Sequence, residues 1–266
     1  VGRPLTAHRT TLTLAQTLFL RKIARKTWAF FETFVGPDDH WLPPDNFQES
    51  PTAVIAHRTS PTNMGLALLA NLSAYDFGYI GAEELIERST QALGTMAAME
   101  RYRGHFYNWY DTQSLRPLAP LYISTVDSGN LAGHLLTLRA GLLALPDHEI
   151  VNPRIFAGME DTVSAMADLA SKTKFRFPDE LQRCLETRPA ALAGTKQLLE
   201  RMTTWAEETT RECTASSDGE LGTWARTIST QCQKAMHELN SLSPVGDEIP
   251  TLRGLAASND IAARRI

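Results

Sequence analysis

Apolar positions along this chain recur with the 3.6-residue spacing of helices almost everywhere. Over residues 14–34, Leu20, Ile23, Ala24, Thr27, Trp28 and Phe31 keep one mostly apolar stripe, and Arg21, Lys22, Arg25 and Lys26 lie opposite. Those four charges read as a solvated basic face, with docking of a partner as the alternative. Gly36-Pro37 stops the pattern. Residues 63–77 are apolar nearly all round, as in a buried helix. The stretch 81–102 is amphipathic and starts with Glu83, Glu84 and Glu87, where the helix dipole favours acids. Residues 128–145 are again mostly apolar, up to Pro146.

Further on, Asn152-Pro153 reads as an N-cap with proline at the first helical position. Ile155, Phe156, Met159, Val163, Met166 and Leu169 form the core face of the helix it opens. Another helix is predicted near 192–205. Ser217 and Glu220 have capping-box spacing ahead of a stripe of Leu221, Trp224, Ile228, Cys232 and Met236. No strand hairpin stands out; only 122–126 has alternating, β-branched character. The fold class is therefore all-α. Alternation of apolar with amphipathic helices suits two layers, the inner one buried on both sides.

Composition divides the chain near residue 145. Of 21 aromatic residues, 16 fall in the first 122 positions, and all six tyrosines are among them. Rings with a polar handle are what binding surfaces use. The first half is thus the expected ligand half, and the second reads as scaffold.

Charge and length then remove several classes. The 266 residues carry 26 basic against 30 acidic side chains, so bulk charge does not draw this chain to nucleic acid. No apolar run reaches the ~18 residues of a membrane span. Cys184, Cys213 and Cys232 are too few and too irregular for a disulfide scaffold or a closed zinc site, which suits a reducing compartment. Arg3, His8 and Arg9 ahead of Leu12 imitate a signal peptide, but no small-x-small cleavage site follows. The absent initial methionine and the helical pattern still running at Ile261–Ile266 read as a piece of a longer chain.

Four loops carry the polar chemistry. The first is Trp41-Leu42-Pro43-Pro44-Asp45-Asn46-Phe47-Gln48-Glu49, two stiffening prolines followed by a polar cluster. A capped turn explains Asp45 and Asn46 but leaves Gln48 and Glu49 over. The second is His57-Arg58-Thr59-Ser60-Pro61-Thr62-Asn63, where Thr62 or Asn63 is a natural N-cap. Arg58 there suits a carboxylate or a sugar diol, or pairs structurally with Asp45 or Glu49. The third is Gly104-His105-Phe106-Tyr107-Asn108-Trp109-Tyr110-Asp111-Thr112. Sugar rings present C–H faces to aromatic rings and hydroxyls to Asn, Asp and His, so this loop fits a polyol site. Helix packing accounts for part of its rings. The fourth is Ser124-Thr125-Val126-Asp127-Ser128-Gly129-Asn130-Leu131, where Asp127 or Ser128 caps a helix or Asp127 faces a pocket as an acid or base. Glycoside chemistry needs two carboxylates, and Asp45, Glu49, Asp111 and Asp127 are the candidates.

Taken in order, Leu42 to Asn46, Thr59 to Asn63, Gly104 to Thr112 and Ser124 to Leu131 resemble cyclic β-1,2-glucan synthases. The resemblance covers about residues 14–145, with a more variable helical stretch after it. It implies the N-terminal part of a glucoamylase-like region between a processive glycosyltransferase and a phosphorylase-like domain. It further implies an (α/α)6 toroid, incomplete here, with alternating inner and outer helices. The domain expectation is 1–145 as the N-terminal part of that toroid and 146–266 as a helical extension or insertion. The implied reaction is anomer-retaining transglycosylation that closes a linear β-1,2-glucan into a ring. Asp127 and Asp111 are the acids offered a chemical role. Asp45, Asn46, Gln48, Glu49, Arg58, Asn63, His105, Tyr107, Asn108, Trp109, Tyr110, Ser128 and Asn130 are the expected sugar-binding set.

No metal or other cofactor is expected. The expected partners are β-1,2-glucan and the other domains of a parent synthase at the cytoplasmic face of the bacterial inner membrane; this stretch itself reads as soluble. Because the toroid is incomplete, the isolated chain is expected to be inactive. The competing readings are a non-catalytic glucan-binding or scaffold segment and a free-standing helical hydrolase.

Overall fold

The computed structural model describes residues 11–152, 154–169, 191–216, 219–241 and 250–257. Over these residues the chain is all-α, apart from three two-residue antiparallel ribbons. The helices are α1 (Leu14–Phe34), α2 (Pro61–Phe77), α3 (Ala82–Ala98), α4 (Thr125–Ala144), α5 (Ile155–Leu169), α6 (Leu192–Ser216), α7 (Glu220–Ser241) and the short α8 (Leu252–Ala257). Pro153, Ser217 and the residues 261–266 read above as helical signals lie outside the described residues.

The centre of the first half is α2. Ser60 caps it, accepting from the Asn63 N–H, Pro61 opens it, and Gly78 closes it in the left-handed region. Thr62 and Asn63 are therefore first-turn residues and not the cap. Met64, Leu68 and Tyr110 form one cluster with Leu131 and Leu138 of α4, while Ala74 and Tyr75 pack with Trp28 of α1 and Leu85 of α3. Matching contacts run in the same direction along α2 and α4, from Thr62 with Asp127 to Gly65 against His134 and Gly141 against Leu72. The two helices are parallel, so both N-termini reach the same place.

The expected inner layer is covered on one side only at α4. Leu131 and Leu138 are buried, but Val126 and Leu136 are each 70% exposed and Leu143 is 59% exposed. One side of α4 packs on α2, and much of its other apolar side is exposed. The expectation for 81–102 also shortens. Helix α3 ends at Ala98, and Arg101–Tyr102 pairs with His105–Phe106 in a ribbon. The turn is Arg103-Gly104, both at positive φ (50° and 86°), which is the twist a two-residue hairpin needs. Residues 122–126 form no strand: Ser124 is the N-cap of α4, and Thr125 and Val126 are already helical.

Two of the four basic residues of α1, Arg21 and Arg25, face an internal joint, while Lys26 stays exposed. Arg21 forms a two-pronged pair with Asp161 of α5, with Nη2–Oδ2 at 2.8 Å and Nε–Oδ1 at 3.0 Å. Arg25 is 1% exposed and lies between the rings of Tyr79 and Trp224, at 5.2 and 5.0 Å from their centroids. Its Nε donates to Thr162 at 2.7 Å; Thr162 donates to Gln231 at 2.8 Å; Gln231 donates to the Gly78 carbonyl at 3.1 Å. One relay thus ties α1, α5, α7 and the end of α2. Burial pushes the Asp161 carboxyl up against the pull of Arg21, and it also pushes the Tyr79 hydroxyl up.

Helices α5, α6 and α7 share a core of Met159, Val163, Leu199, Met202, Ile228 and Cys232. Where α5 crosses the end of α2, backbones touch. A Cβ on Gly158 would sit 2.1 Å from the Gly78 carbonyl oxygen, and one on Gly78 would sit 2.1 Å from that of Arg154. Neither obstacle is a flexible side-chain tip. Gly158→Ala is therefore expected to destabilise the chain by about 1–3 kcal/mol, read as an earlier thermal melt. An unchanged melt would mean that α5 can lift off the turn freely.

Candidate functional site

Three loops and two helix ends meet around Asp127. The chain first forms a small ribbon, Phe47–Gln48 with Val54–Ile55, which carries Asp45 back against Ala56 through the Asp45 N–H to Ala56 carbonyl bond. A second ribbon pairs Arg58–Thr59 with Tyr110–Asp111. It brings the His57–Asn63 segment against the aromatic loop. The aromatic loop continues to Tyr122, whose carbonyl accepts from the Asn108 N–H at 3.0 Å.

A buried tie that was not read from the sequence holds these loops together. Asp39 is 7% exposed and accepts from Thr112 and from His57 Nδ1, the latter at 2.8 Å. The Thr112 N–H donates in turn to the His57 carbonyl. Asp39 follows an unremarkable Gly-Pro-Asp turn. Nothing in its spacing marks it.

Within that frame, Asp127 is not the helix cap. Ser124 takes that role, accepting from the Asp127 N–H at 3.1 Å. The Asp127 carboxylate instead reaches across to other segments. Its Oδ1 accepts from the Thr62 hydroxyl at 2.5 Å, and Thr62 accepts from Asn130 Nδ2 at 3.1 Å. With the Asn108 amide oriented by its neighbours, Nδ2 donates to Asp127 Oδ2 at 3.0 Å. The Asn108 carbonyl accepts from the Tyr122 hydroxyl and from Trp109 Nε1, each at 2.6 Å.

Beside this cluster stands an ion pair. Arg58 Nη2 and Nε donate to Asp45 Oδ2 at 2.9 and 3.2 Å. Asn63 Nδ2 lies 3.4 Å from Asp45 Oδ1, and Asn46 Nδ2 donates to Asp45 Oδ2 at 3.1 Å. The guanidinium of Arg58 lies 5.0 Å above the Trp109 ring. Arg58 therefore does pair with Asp45, while remaining half open to solvent.

Thus Asp45, Asn46, Arg58, Asn63, Asn108, Trp109, Asp127 and Asn130 come together. Gln48, Glu49 and His105 are exposed, and no bond of the cluster reaches them. Ser128 is half-buried, and its hydroxyl meets no partner among the described residues. Tyr107 packs against Tyr110, with centroids 6.4 Å apart. The expected ligand contact at Tyr110 is corrected by burial. It is 0% exposed, and its hydroxyl donates to the Glu100 carbonyl at 2.7 Å and accepts from the Tyr107 N–H at 2.8 Å. Tyr110 is a core post under the loop.

Asp111 is turned to its own loop. Its Oδ1 accepts from the Ser114 N–H at 2.7 Å and the Ser114 hydroxyl at 2.8 Å, which hold its carboxyl below the usual range. Thr62 and Tyr122 are the site residues that sequence reasoning did not assign. Both lie inside or beside stretches it singled out. What it could not supply is which way they face. Among the described residues, no three His, Cys, Asp or Glu side chains gather as a metal ion requires. No described helix is long and apolar enough to cross a membrane.

Comparison with known proteins agrees with the motifs. No family model matches the chain. A curated protein, the cyclic β-(1,2)-glucan synthase NdvB of Rhizobium meliloti (strain 1021), is 38% identical over 238 residues, or 80% of this chain. The chain spans only 8% of that protein's length. A crystal structure of a candidate glucoamylase from Bacteroides fragilis NCTC 9343 aligns with a TM-score of 0.38 and 18% identity, over 58% of this chain and 38% of that one, too weak a likeness to define a shared fold. The likeness read from the four motif stretches is thus a likeness to the cyclic β-1,2-glucan synthase family, held at 38% identity across 80% of this chain.

Proposed function

We propose that this chain is part of the module that cyclises β-1,2-glucan in a larger synthase, by transglycosylation with retention at the anomeric carbon. The observation that carries this reading is the meeting of separate motif stretches in one hydrogen-bonded cluster on Asp127. Asn108 and Arg58 meet the Trp109 indole there, and Asp45, Asn63 and Asn130 bond to the same set of residues, which is the composition a polyol site needs. In this reading residues 1–145 open an (α/α)6 toroid, with parallel α2 and α4 as inner helices. Residues 146–266 are a helical extension braced on α1. Asp127 orients a sugar hydroxyl or accepts its proton, and Asp111 stiffens the loop beneath. The partners are the remaining domains of the synthase, working at the cytoplasmic face of the inner membrane.

Retaining glycoside chemistry needs two carboxylates about 5–5.5 Å apart around the reacting carbon. Asp45 and Asp127 are both held by donors from this chain, so the reading makes neither of them the principal acid or nucleophile. The principal acid and nucleophile come from elsewhere in the module. The isolated chain is accordingly expected to bind linear β-1,2-glucan weakly and to turn it over negligibly. Calorimetric titration, followed by mass analysis of products, measures both. Trp109→Ala should weaken binding with little change in melting. Rapid formation of shortened or cyclic products by the chain alone, or no binding at all, would remove this reading.

A further inference from the structure

Asn108 and Tyr122 have a relation that the sugar-site reading does not use. Asn108 is 7% exposed. An amide side chain has two acceptor positions and two N–H donors. Tyr122 and Trp109 fill both acceptor positions of Asn108, and Asp127 takes one donor. Little of this amide is left for a ligand. What it does is fix three neighbours at once.

Tyr122 is the neighbour that stands out. The residue is 49% exposed, yet its hydroxyl is anchored on the buried amide at 2.6 Å. A ring that is wet along one side and tied at its polar end loses little freedom when a ligand lands on it. The direction of the bonds is also consistent. Tyr122 and Trp109 donate to Asn108, Asn108 donates to Asp127, and Asn130 donates to Thr62, which donates to Asp127. Every donor in both branches points toward the one carboxylate, so each bond polarises the next.

We propose that Tyr122 is a second sugar-contacting ring beside Trp109, and that Asn108 is the buried positioning residue that sets both rings and the Asp127 carboxylate in one geometry. Thr62 holds the other carboxylate oxygen. The inference rests on the glucan reading for its ligand but not for its hub.

Two measurements on the full chain keep these apart. The first is the indole N–H resonance of Trp109 in 1H–15N spectra, assigned by its loss in Trp109→Phe. Tyr122→Phe removes only the hydroxyl that shares the Asn108 carbonyl, so the Trp109 resonance should move while those of the other four tryptophans hold. The second is affinity for linear β-1,2-glucan oligosaccharides. Tyr122→Phe should weaken it about threefold, the size of one neutral hydrogen bond. Tyr122→Ala should weaken it roughly tenfold, the order found for an aromatic stacking partner. Thermal melts of both should stay close to the unaltered chain. An unmoved indole resonance in Tyr122→Phe would overturn the hub. Unchanged affinity in Tyr122→Ala would overturn the contact. If the unaltered chain takes no glucan, the functional reading and the sugar contact fall together, and the indole shift still decides the hub.

Discussion

Under the proposed function, Asp127→Asn is expected to leave the chain folded and to slow ring closure by the complete synthase at least roughly tenfold, about 1.4 kcal/mol of barrier. The geometry separates the two effects. Helix α4 keeps its Ser124 cap, because the bond that caps it uses only the Asp127 backbone. The side chain, by contrast, accepts from Thr62 on one oxygen and Asn108 on the other. An asparagine can satisfy one of those donors and sets its own NH2 against the second. One unsatisfied buried donor costs about 1–3 kcal/mol, so melting should fall modestly. If Asp127 takes a proton from the sugar, the rate loss should reach the ~10²–10⁴-fold typical of general acid–base groups. If it only orients a hydroxyl, the loss should sit near the lower bound. Ring-closing rate in the complete protein, with circular dichroism as the folding control, decides between them. An unchanged rate with an unchanged fold would take Asp127 out of the site.

The largest stability loss is expected at the joint between α1 and the second half. Arg25→Ala removes a fully buried stem, two cation–π contacts and the donor to Thr162. It also strips Glu32 of its 2.9 Å partner. The cavity and the broken pair together should cost on the order of 3–5 kcal/mol. Trp224→Ala should fall in the same range, on the order of 3–5 kcal/mol, since Trp224 is 7% exposed and packs on Ala165, Met166 and Cys213. The two changes share one contact, so the double variant should lose less than the sum. Denaturant midpoints of the two single variants and the double variant measure this. Strict additivity, or an Arg25→Ala chain as stable as the unaltered one, would mean that the sandwich contributes nothing.

Much of the fold was legible because long helices announce themselves. The 14–34 span matches α1 end to end, although Leu20 and Ile23 of its apolar stripe stay 48% and 46% exposed, and the Ile155–Met166 and Trp224–Cys232 stripes are buried as their spacing demands. The misreadings share a cause. Arg25 sits on the polar side of its own helix, and only the arrival of Tyr79, Thr162 and Trp224 makes that side interior. A pattern along one helix cannot report a second helix docking from outside. The hairpin at Arg103-Gly104 was missed because both flanking strands are two residues long, too short for any alternation.

The site was legible as a set of stretches and not as a geometry. Asn108 and Asp127 stood out by type, yet their bond spans two loops. Tyr110 looked like its neighbours Tyr107 and Trp109, and only burial separates them. Thr62 stood out only as a capping candidate after a proline. The capping expectations at Thr62, Asn63 and Asp127 each missed by a few residues, since Ser60 and Ser124 were equally eligible and stand earlier in the chain.

The parallel setting of α2 and α4 has an electrical consequence. Each helix start carries roughly half a positive charge, so two starts side by side supply about one unit to the space between them. Thr62 and Asp127, from the first turns of the two helices, touch there, and Asn63 leans on Asp45 from the same end. Arg58 adds a full cation beside Asp45. Two carboxylates are thereby offset by one guanidinium and one pair of aligned backbones, with no ion borrowed from solvent. A cluster whose charges are offset in this way gives little purchase to a phosphate or an ammonium group. Under the proposed function this suits an uncharged guest rich in hydroxyls, since such a molecule can exchange hydrogen bonds with Asp45, Asp127 and the amides without disturbing that balance.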